Sequence, residues 1–445
     1  MVLVAQGLAF LQAQSDRQDL VSGAAGIPSI PGQTPAPELT GFDVVRGGAL
    51  TFFQFHHVAL EIDSSAVPIP GAESTPFGEI DITMRLSASL MLGALVALWF
   101  LYLGGRATAR VGGGPGWARP IHGAKVAVPY TMLAVAYSFL ARISIDQAEL
   151  GAGAQGPATV GASIPSVVFW TLLFGLVAGI AGGISTGPVV RGTGAVWERR
   201  IRGVMAGGWR MAWVAVALSL FGFFIVAAVN AEQTGAYFRF VASGDFASGA
   251  SILLTTILLL PNAATGIAAA SLGGSIGVDL LGSACSVISY TRFPLGSAEV
   301  PPLDSPGADL CGSIPLEFGL APIAYFLFLL VPIVATLLGG SLAARRAGSP
   351  APGEAAAAGA VAGVVFSVFL LGLMILARFA GQVDIPFAGL FGGGKLALGP
   401  DLLSGTLLAL VWGSAGGALG GLIASRRMES RPPSGAAAAQ GPSEP

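Results

Sequence analysis

Seven runs of about twenty apolar residues dominate the chain: 86–104 (span A), 126–144 (B), 162–184 (C), 211–230 (D), 319–341 (F), 356–378 (G) and 402–424 (H). A helix of that length rises roughly 30 Å, the thickness of the hydrocarbon core of a bilayer. In hydrocarbon the backbone must satisfy its own hydrogen bonds, so runs of this length cross as helices. The fold class expected is all-α: a polytopic helical membrane protein with seven spanning helices plus one re-entrant or broken helix. Only 10% of residues are charged, against about 25% in soluble domains. The 22 Lys and Arg are balanced by 24 Asp and Glu. There is no cationic excess to hold a nucleic-acid backbone, so the first partner expected is the lipid bilayer, with no nucleic acid.

Basic residues near the span ends set orientation. The A/B loop carries Arg106, Arg110, Arg119 and Lys125, and the C/D loop carries Arg191, Arg199, Arg200, Arg202 and Arg210. Arg345 and Arg346 follow F, and Arg426, Arg427 and Arg431 follow H. The expectation is a plasma-membrane protein with these segments and the C-terminus in the cytoplasm.

That orientation leaves an eighth apolar stretch, E at 250–270, unable to cross an odd number of times, because everything between D and F must begin and end outside. E contains Pro261 and Asn262. Proline lacks an N–H and asparagine offers both a donor and an acceptor, a pair suited to the tip of a broken helix. A simple proline kink is the other reading. The weakly apolar 265–290 would form the second arm of a hairpin, with Asp279 the one ionisable candidate at depth.

Spans A, F and H each end Leu-Gly-Gly (Leu103, Leu338, Leu419) with an arginine six residues after the first glycine. B and G both close on Leu-Ala-Arg, at Leu140–Arg142 and Leu376–Arg378. C and H share glycines at every fourth position: Gly175, Gly179 and Gly183, and Gly413, Gly417 and Gly421. A-B-C and F-G-H therefore read as parallel three-helix repeats, with D and E as linker. The chance recurrence of Gly-Gly in a glycine-rich chain is the alternative. The glycine stripes are helix-packing seams in either case, since they let two backbones approach closely.

The organisation expected is an extracytoplasmic segment 1–85, helices A–D in 86–230, an extracytoplasmic or re-entrant segment 231–318, helices F–H in 319–425, and a disordered cytoplasmic tail 426–445. Residues 1–12 are apolar but too short to span, like the end of a truncated helix preceded by more chain. The apolar patch 49–60 is expected in the headgroup zone.

Little chemistry is written in the sequence. His56 and His57 stand near Glu61 and Asp63, but sequence neighbours point apart and no cysteine joins them. Gly389-x4-Gly394-Lys395 is followed by Leu396 where a phosphate loop needs Ser or Thr. No catalytic, cofactor-binding or metal-binding residue is expected, and the chain is read as a non-enzyme. Cys285 and Cys311, the two cysteines of the chain, fall in one extracytoplasmic segment, where oxidising conditions favour a disulfide. Two buried thiols are the alternative.

Three stretches carry a resemblance: Phe53-Gln54-Phe55-His56-His57-Val58, Leu101-Tyr102-Leu103-Gly104-Gly105-Arg106, and Leu258-Leu259-Leu260-Pro261-Asn262-Ala263. They resemble uncharacterised actinobacterial multi-pass proteins called streptophobe-like, and the neighbouring permease-like family linked to cell division, over roughly residues 50–290. The resemblance implies a cell-envelope protein of the plasma membrane without known catalytic residues. The function expected is a division or wall-synthesis accessory working through membrane-protein partners or a second copy. The alternative is a small-molecule permease whose path Pro261 and Asn262 would line.

Overall fold

The computed structural model describes residues 41–68, 79–114, 116–146, 157–187, 194–243, 246–280, 283–288, 327–349, 351–384 and 394–429. Their order is α1 (Gly41–Gln54), β1 (Leu60–Pro68), β2 (Glu79–Ser87), α2 (Met91–Gly112), α3 (Ala118–Ala124), α4 (Ala127–Ser138), β3 (Arg142–Asp146), β4 (Pro157–Ala162) and α5 (Ile164–Ile184). There follow α6 (Gly194–Val229), α7 (Ala231–Ser243), α8 (Phe246–Ser271), β5 (Ile276–Leu280), β6 (Ser283–Ile288), α9 (Leu330–Ala347), α10 (Pro352–Ala377), β7 (Phe379–Asp384), β8 (Gly394–Pro400) and α11 (Leu402–Glu429).

The protein is mainly helical, and seven of the described helices are long and apolar enough to cross a membrane. Their large outward side chains, among them Trp99, Phe100, Phe169, Phe221, Val368 and Leu403, are exposed, as lipid-facing residues of a membrane bundle are.

The expectation of an all-helical chain missed one layer. Eight strands form a single sheet in the order β3-β4-β1-β2-β7-β8-β5-β6, and every pairing is antiparallel. The strands occupy connections at one end of the bundle, which we call the sheet end. Helices α1, α4, α8 and α10 each run into a strand, and β2, β4 and β8 each run into a helix. The period-two alternation of Leu60-Glu61-Ile62-Asp63 and of Ile80-Asp81-Ile82-Thr83 carries the strand signal, hidden among the prolines and glycines around it. The arginine-bearing helix ends of α2, α6, α9 and α11 lie at the opposite end.

Span B differs from expectation in form. Within 126–144 only α4 is helical and the last residues begin β3, while α3 precedes the span across a turn at Lys125–Val126, so neither helix is long enough to cross alone. The backbone of Arg119 sits against Gly183, where α5 ends, and α4 leads to β3 at the sheet end. The two pieces together therefore run the depth of the bundle.

Span E is corrected. Helix α8 continues unbroken through Pro261, since a membrane helix can lose one internal hydrogen bond where neighbours compensate. It is long and apolar enough to cross. Its contacts nonetheless keep it at the sheet end: Leu254 and Leu258 pack with Phe53, Val58 and Leu90, Asn262 reaches Ser89 and Leu376, and Ala269 lies beside Gly405. The stretch after it is not a second hairpin arm. It forms β5 and β6, and Asp279 pairs in register with Ala284 and Ala397 within the sheet.

The patch 49–60 is corrected as well. Phe53, Phe55 and Val58 are completely buried, packed with Ala49 and Phe52 against Ala134, Ala141, Ala162 and Val167. They fill a protein core, not the headgroup zone.

The glycine stripes are seams, and both halves of the chain use them identically. On α5, Gly175 meets Ala127, Gly179 meets Gly123, and Gly183 meets Arg119. On α11, Gly413 meets Gly363, Gly417 meets Gly359, and Gly421 meets Ala355. Gly182 faces the carbonyl of Tyr102, and Gly420 faces the carbonyl of Leu337. Gly105 touches Gly179 just as Gly340 touches Gly417.

The equivalence extends beyond three helices. Val58 N donates to Phe53 O at 3.2 Å and Gly274 N to Ala269 O at 3.1 Å, while Ser163 N donates to Ala59 O and Asp401 N to Ser275 O, each at 2.9 Å. The turn after α1 is thus the turn after α8. E belongs to the repeat and not to a linker: α1-β1-β2-α2-α3-α4-β3-β4-α5 corresponds to α8-β5-β6-α9-α10-β7-β8-α11. Both units begin at the sheet end, so they are parallel and related by a pseudo-two-fold axis along the bundle.

Candidate functional site

A duplicated chain gives its own reference: where the two units differ in polarity, one of them departs from simple packing. One such departure lies beneath the sheet in the first unit. His56, His57 and Tyr130 stand where the second unit has Leu272, Gly273 and Phe366, by the register of the shared turns and seams. Leucine and phenylalanine fill such positions at no polar cost. The histidines and the tyrosine therefore need a reason.

The sequence builds the cluster through the end of α1. Phe52, Phe53 and Phe55 anchor the last turn, and the chain then reverses at His57, whose φ of 57° is left-handed. The equivalent Gly273 adopts a φ of 100° without a side chain to strain, whereas a non-glycine residue there costs on the order of 1–2 kcal/mol. His56 Nδ1 lies 2.8 Å from the carbonyl of Phe52 and must donate to it. Nε2 is then the acceptor for the hydroxyl of Tyr130. This fixes His56 as the neutral Nδ1–H tautomer.

The ring of His57 stands edge-on to Trp170, with centroids 4.9 Å apart, and its Nδ1 has no hydrogen-bond partner among the described residues. Burial pushes both imidazoles down to about 4. The cluster holds its protons in place. Among the described residues no three His, Cys, Asp or Glu side chains converge to hold a metal ion.

The second feature joins the two units. Asn262 on α8 donates from Nδ2 to Ser89 O at 2.7 Å and to Leu376 O at 3.4 Å, and its Oδ1 accepts from Met91 N at 3.0 Å. Helix ends leave such groups unpaired. Met91 N belongs to the first turn of α2, which has no side-chain cap of its own, and Leu376 O belongs to the last turn of α10. One asparagine thus caps helices from both units. The sequence marks Asn262 as half of a break in span E; in the structure its amide instead bonds to the backbone at the ends of α2 and α10. Pro261 itself remains an ordinary helical residue. Beside Asn262, Thr265 donates to the sulfur of Met91.

Asp279 lies in β5, apart from the asparagine. By register its counterpart is Asp63 of β1, whose carboxylate accepts from Thr83 at 3.1 Å. Cys285 belongs to β6, and Cys311 lies outside the described residues, as do residues 1–12 and the tail beyond Glu429. The cluster of His56, His57 and Tyr130 is what sequence reasoning missed. Only the histidine doublet hinted at it, because Tyr130 lies far away in sequence.

No family model matches the chain, and no curated protein or solved structure is significantly similar to it. The protein is an integral membrane protein by its seven apolar helices. A finer reading rests on its own geometry.

Proposed function

We propose that this is a non-enzymatic protein of the cell envelope that resides in the plasma membrane and presents its sheet outside, where it engages membrane-protein partners of division or wall synthesis. The observation that carries this reading is the join between the two units. Strand β2 pairs with β7 from Thr83–Asp384 to Ser87–Ala380, and Asn262 binds both units just beneath. Carriers built from parallel repeats work by rocking one against the other. Here rocking would have to break a hydrogen-bonded ladder and uncap two helices, so the halves form one rigid platform. The resemblance to the streptophobe-like and cell-division-linked proteins points the same way. The arginines gathered at the far end support a cytoplasmic C-terminus, and a Cys285–Cys311 disulfide fits the oxidising side on which the sheet would stand.

The duplication itself favours a second reading, a small-molecule permease, because a pseudo-two-fold axis along the membrane normal is a common transporter plan. A lock separates the two. Met84→Cys with Val383→Cys would bridge β2 to β7 at a paired position. A platform keeps complementing a deletion strain and keeps its co-purifying partners when oxidised. A permease that rocks loses activity on oxidation and regains it with reductant, and that result would overturn the platform reading.

A further inference from the structure

We propose that the sheet closes on itself, with the free edge of β6 pairing with the free edge of β3, so that the eight strands form a barrel standing over the membrane on the pseudo-two-fold axis. The argument is one of symmetry. A two-fold operation that carries the first unit onto the second also carries the second onto the first. Strand β2 therefore maps to β6, and β7 maps to β3, because β1–β4 and β5–β8 have the same register and β3–β4 matches β7–β8. The pairing of β2 with β7 then requires a pairing of β6 with β3.

The sheet order divides accordingly into β3-β4-β1-β2 and β7-β8-β5-β6, two copies of one module joined once where the symmetry demands two joins. Strand direction agrees. The antiparallel order alternates through eight strands, so β6 and β3 run in opposite directions, as an antiparallel join needs. The proposal also gives each outer edge an occupant, since an exposed strand edge is a template for unwanted pairing. Eight strands suit a barrel whose interior is filled by side chains or holds one small ligand.

The register follows from Gly277–Leu280, beyond an irregularity between Ile276 and Gly277 that β1 lacks at the equivalent place. Arg85 lies opposite Gln382. Arg85 is equivalent to Ser286, since Glu61 pairs with Arg85 as Gly277 pairs with Ser286, and Gln382 is equivalent to Asp146. Ser286 should therefore face Asp146.

The test is a cysteine pair, Asp146→Cys with Ser286→Cys, in the full chain in membranes, with Cys285→Ser and Cys311→Ser to clear the background. The pair Arg85→Cys with Gln382→Cys reports that oxidation works across a known join. Closure predicts a disulfide within one chain, read as a reductant-sensitive mobility shift at monomer mass and formed to an extent similar to the control. The out-of-register pair Asp146→Cys with Ser283→Cys should form much less. A covalent dimer from Asp146→Cys with Ser286→Cys would mean that the edges meet in a second copy, and no disulfide where the control forms one would mean an open sheet. Either result overturns the proposal. Neither bears on the platform reading, whose lock lies at β2 and β7.

Discussion

The amide of Asn262 lies 2.7 Å from the carbonyl of Ser89, a bond from α8 in one unit to the second residue ahead of α2 in the other. Its remaining bonds reach Met91 N and Leu376 O, so one side chain completes two helix ends that would otherwise leave backbone groups unpaired away from water. Asn262→Leu keeps the branching of the side chain and removes all three bonds. The expected cost is about 1–3 kcal/mol for each group left buried and unsatisfied, seen as a lower midpoint of thermal unfolding in detergent. A variant with an unchanged midpoint would show that water or lipid headgroups serve these groups as well.

The seams predict opposite outcomes for one kind of substitution. A Cβ at Gly179 would press on the carbonyl of Gly123, and one at Gly417 on the carbonyl of Gly359, whereas a Cβ at Gly372 would meet nothing within 4 Å. Backbone carbonyls cannot swing aside as a flexible side chain can. Gly179→Ala and Gly417→Ala should each cost about 1–3 kcal/mol by forcing helices apart, while Gly372→Ala should be neutral or stabilise by up to about 1 kcal/mol through helix propensity. Thermal melts of the three variants side by side distinguish a seam from a merely glycine-rich helix.

Orientation has its own check. A reporter placed after Arg110, Arg200 or Arg346 should report the cytoplasm, and one inserted in the connection between β5 and β6, at 281–282, should report the outside. Cytoplasmic signal at 281–282 would invert the whole assignment, because all eight strands belong to one sheet.

These features were unequally legible in the sequence. Apolar length disclosed the helices, and the four-residue spacing of Gly175, Gly179 and Gly183 disclosed a seam, because both signals are local and periodic. Which helix meets that seam is a long-range fact, visible only once Gly123 and Gly179 are seen in contact. The strands were hidden by brevity: β3 and β5 are five residues each, too short for alternation to stand out. Pro261 was misleading because proline reads locally as a break, while in the fold helix α8 continues through it. The match of His57 to Gly273 could not be seen from Leu-Gly-Gly endings at all. It appears only through the shared backbone bonds of the two turns.

The histidine cluster predicts a dependence on pH. His56 and His57 titrate near 6.5 in an unfolded chain and near 4 in the fold, where burial disfavours the charged ring. Above pH 6.5 both states hold neutral imidazoles and stability is independent of these groups. Between 6.5 and 4 the unfolded chain binds protons that the folded chain refuses, so stability falls as pH falls, and below 4 the loss levels off. The size is on the order of 3 kcal/mol for each histidine. Carboxylates also titrate at the low end, Asp401 lower than usual because it is held against Ser404, whose N–H donates to its Oδ1 at 2.6 Å, so the informative window is pH 7 to 5.5. The comparison variant is His56→Leu, His57→Gly and Tyr130→Phe, which installs the residues of the second unit and removes the left-handed strain at position 57. Its melting midpoint should match or exceed that of the natural chain at pH 7 and stay flat down to 5.5, while the natural chain declines. If the two curves run parallel across that window, the imidazoles reach protons more freely than their burial allows, and the cluster is not the closed neutral site described above.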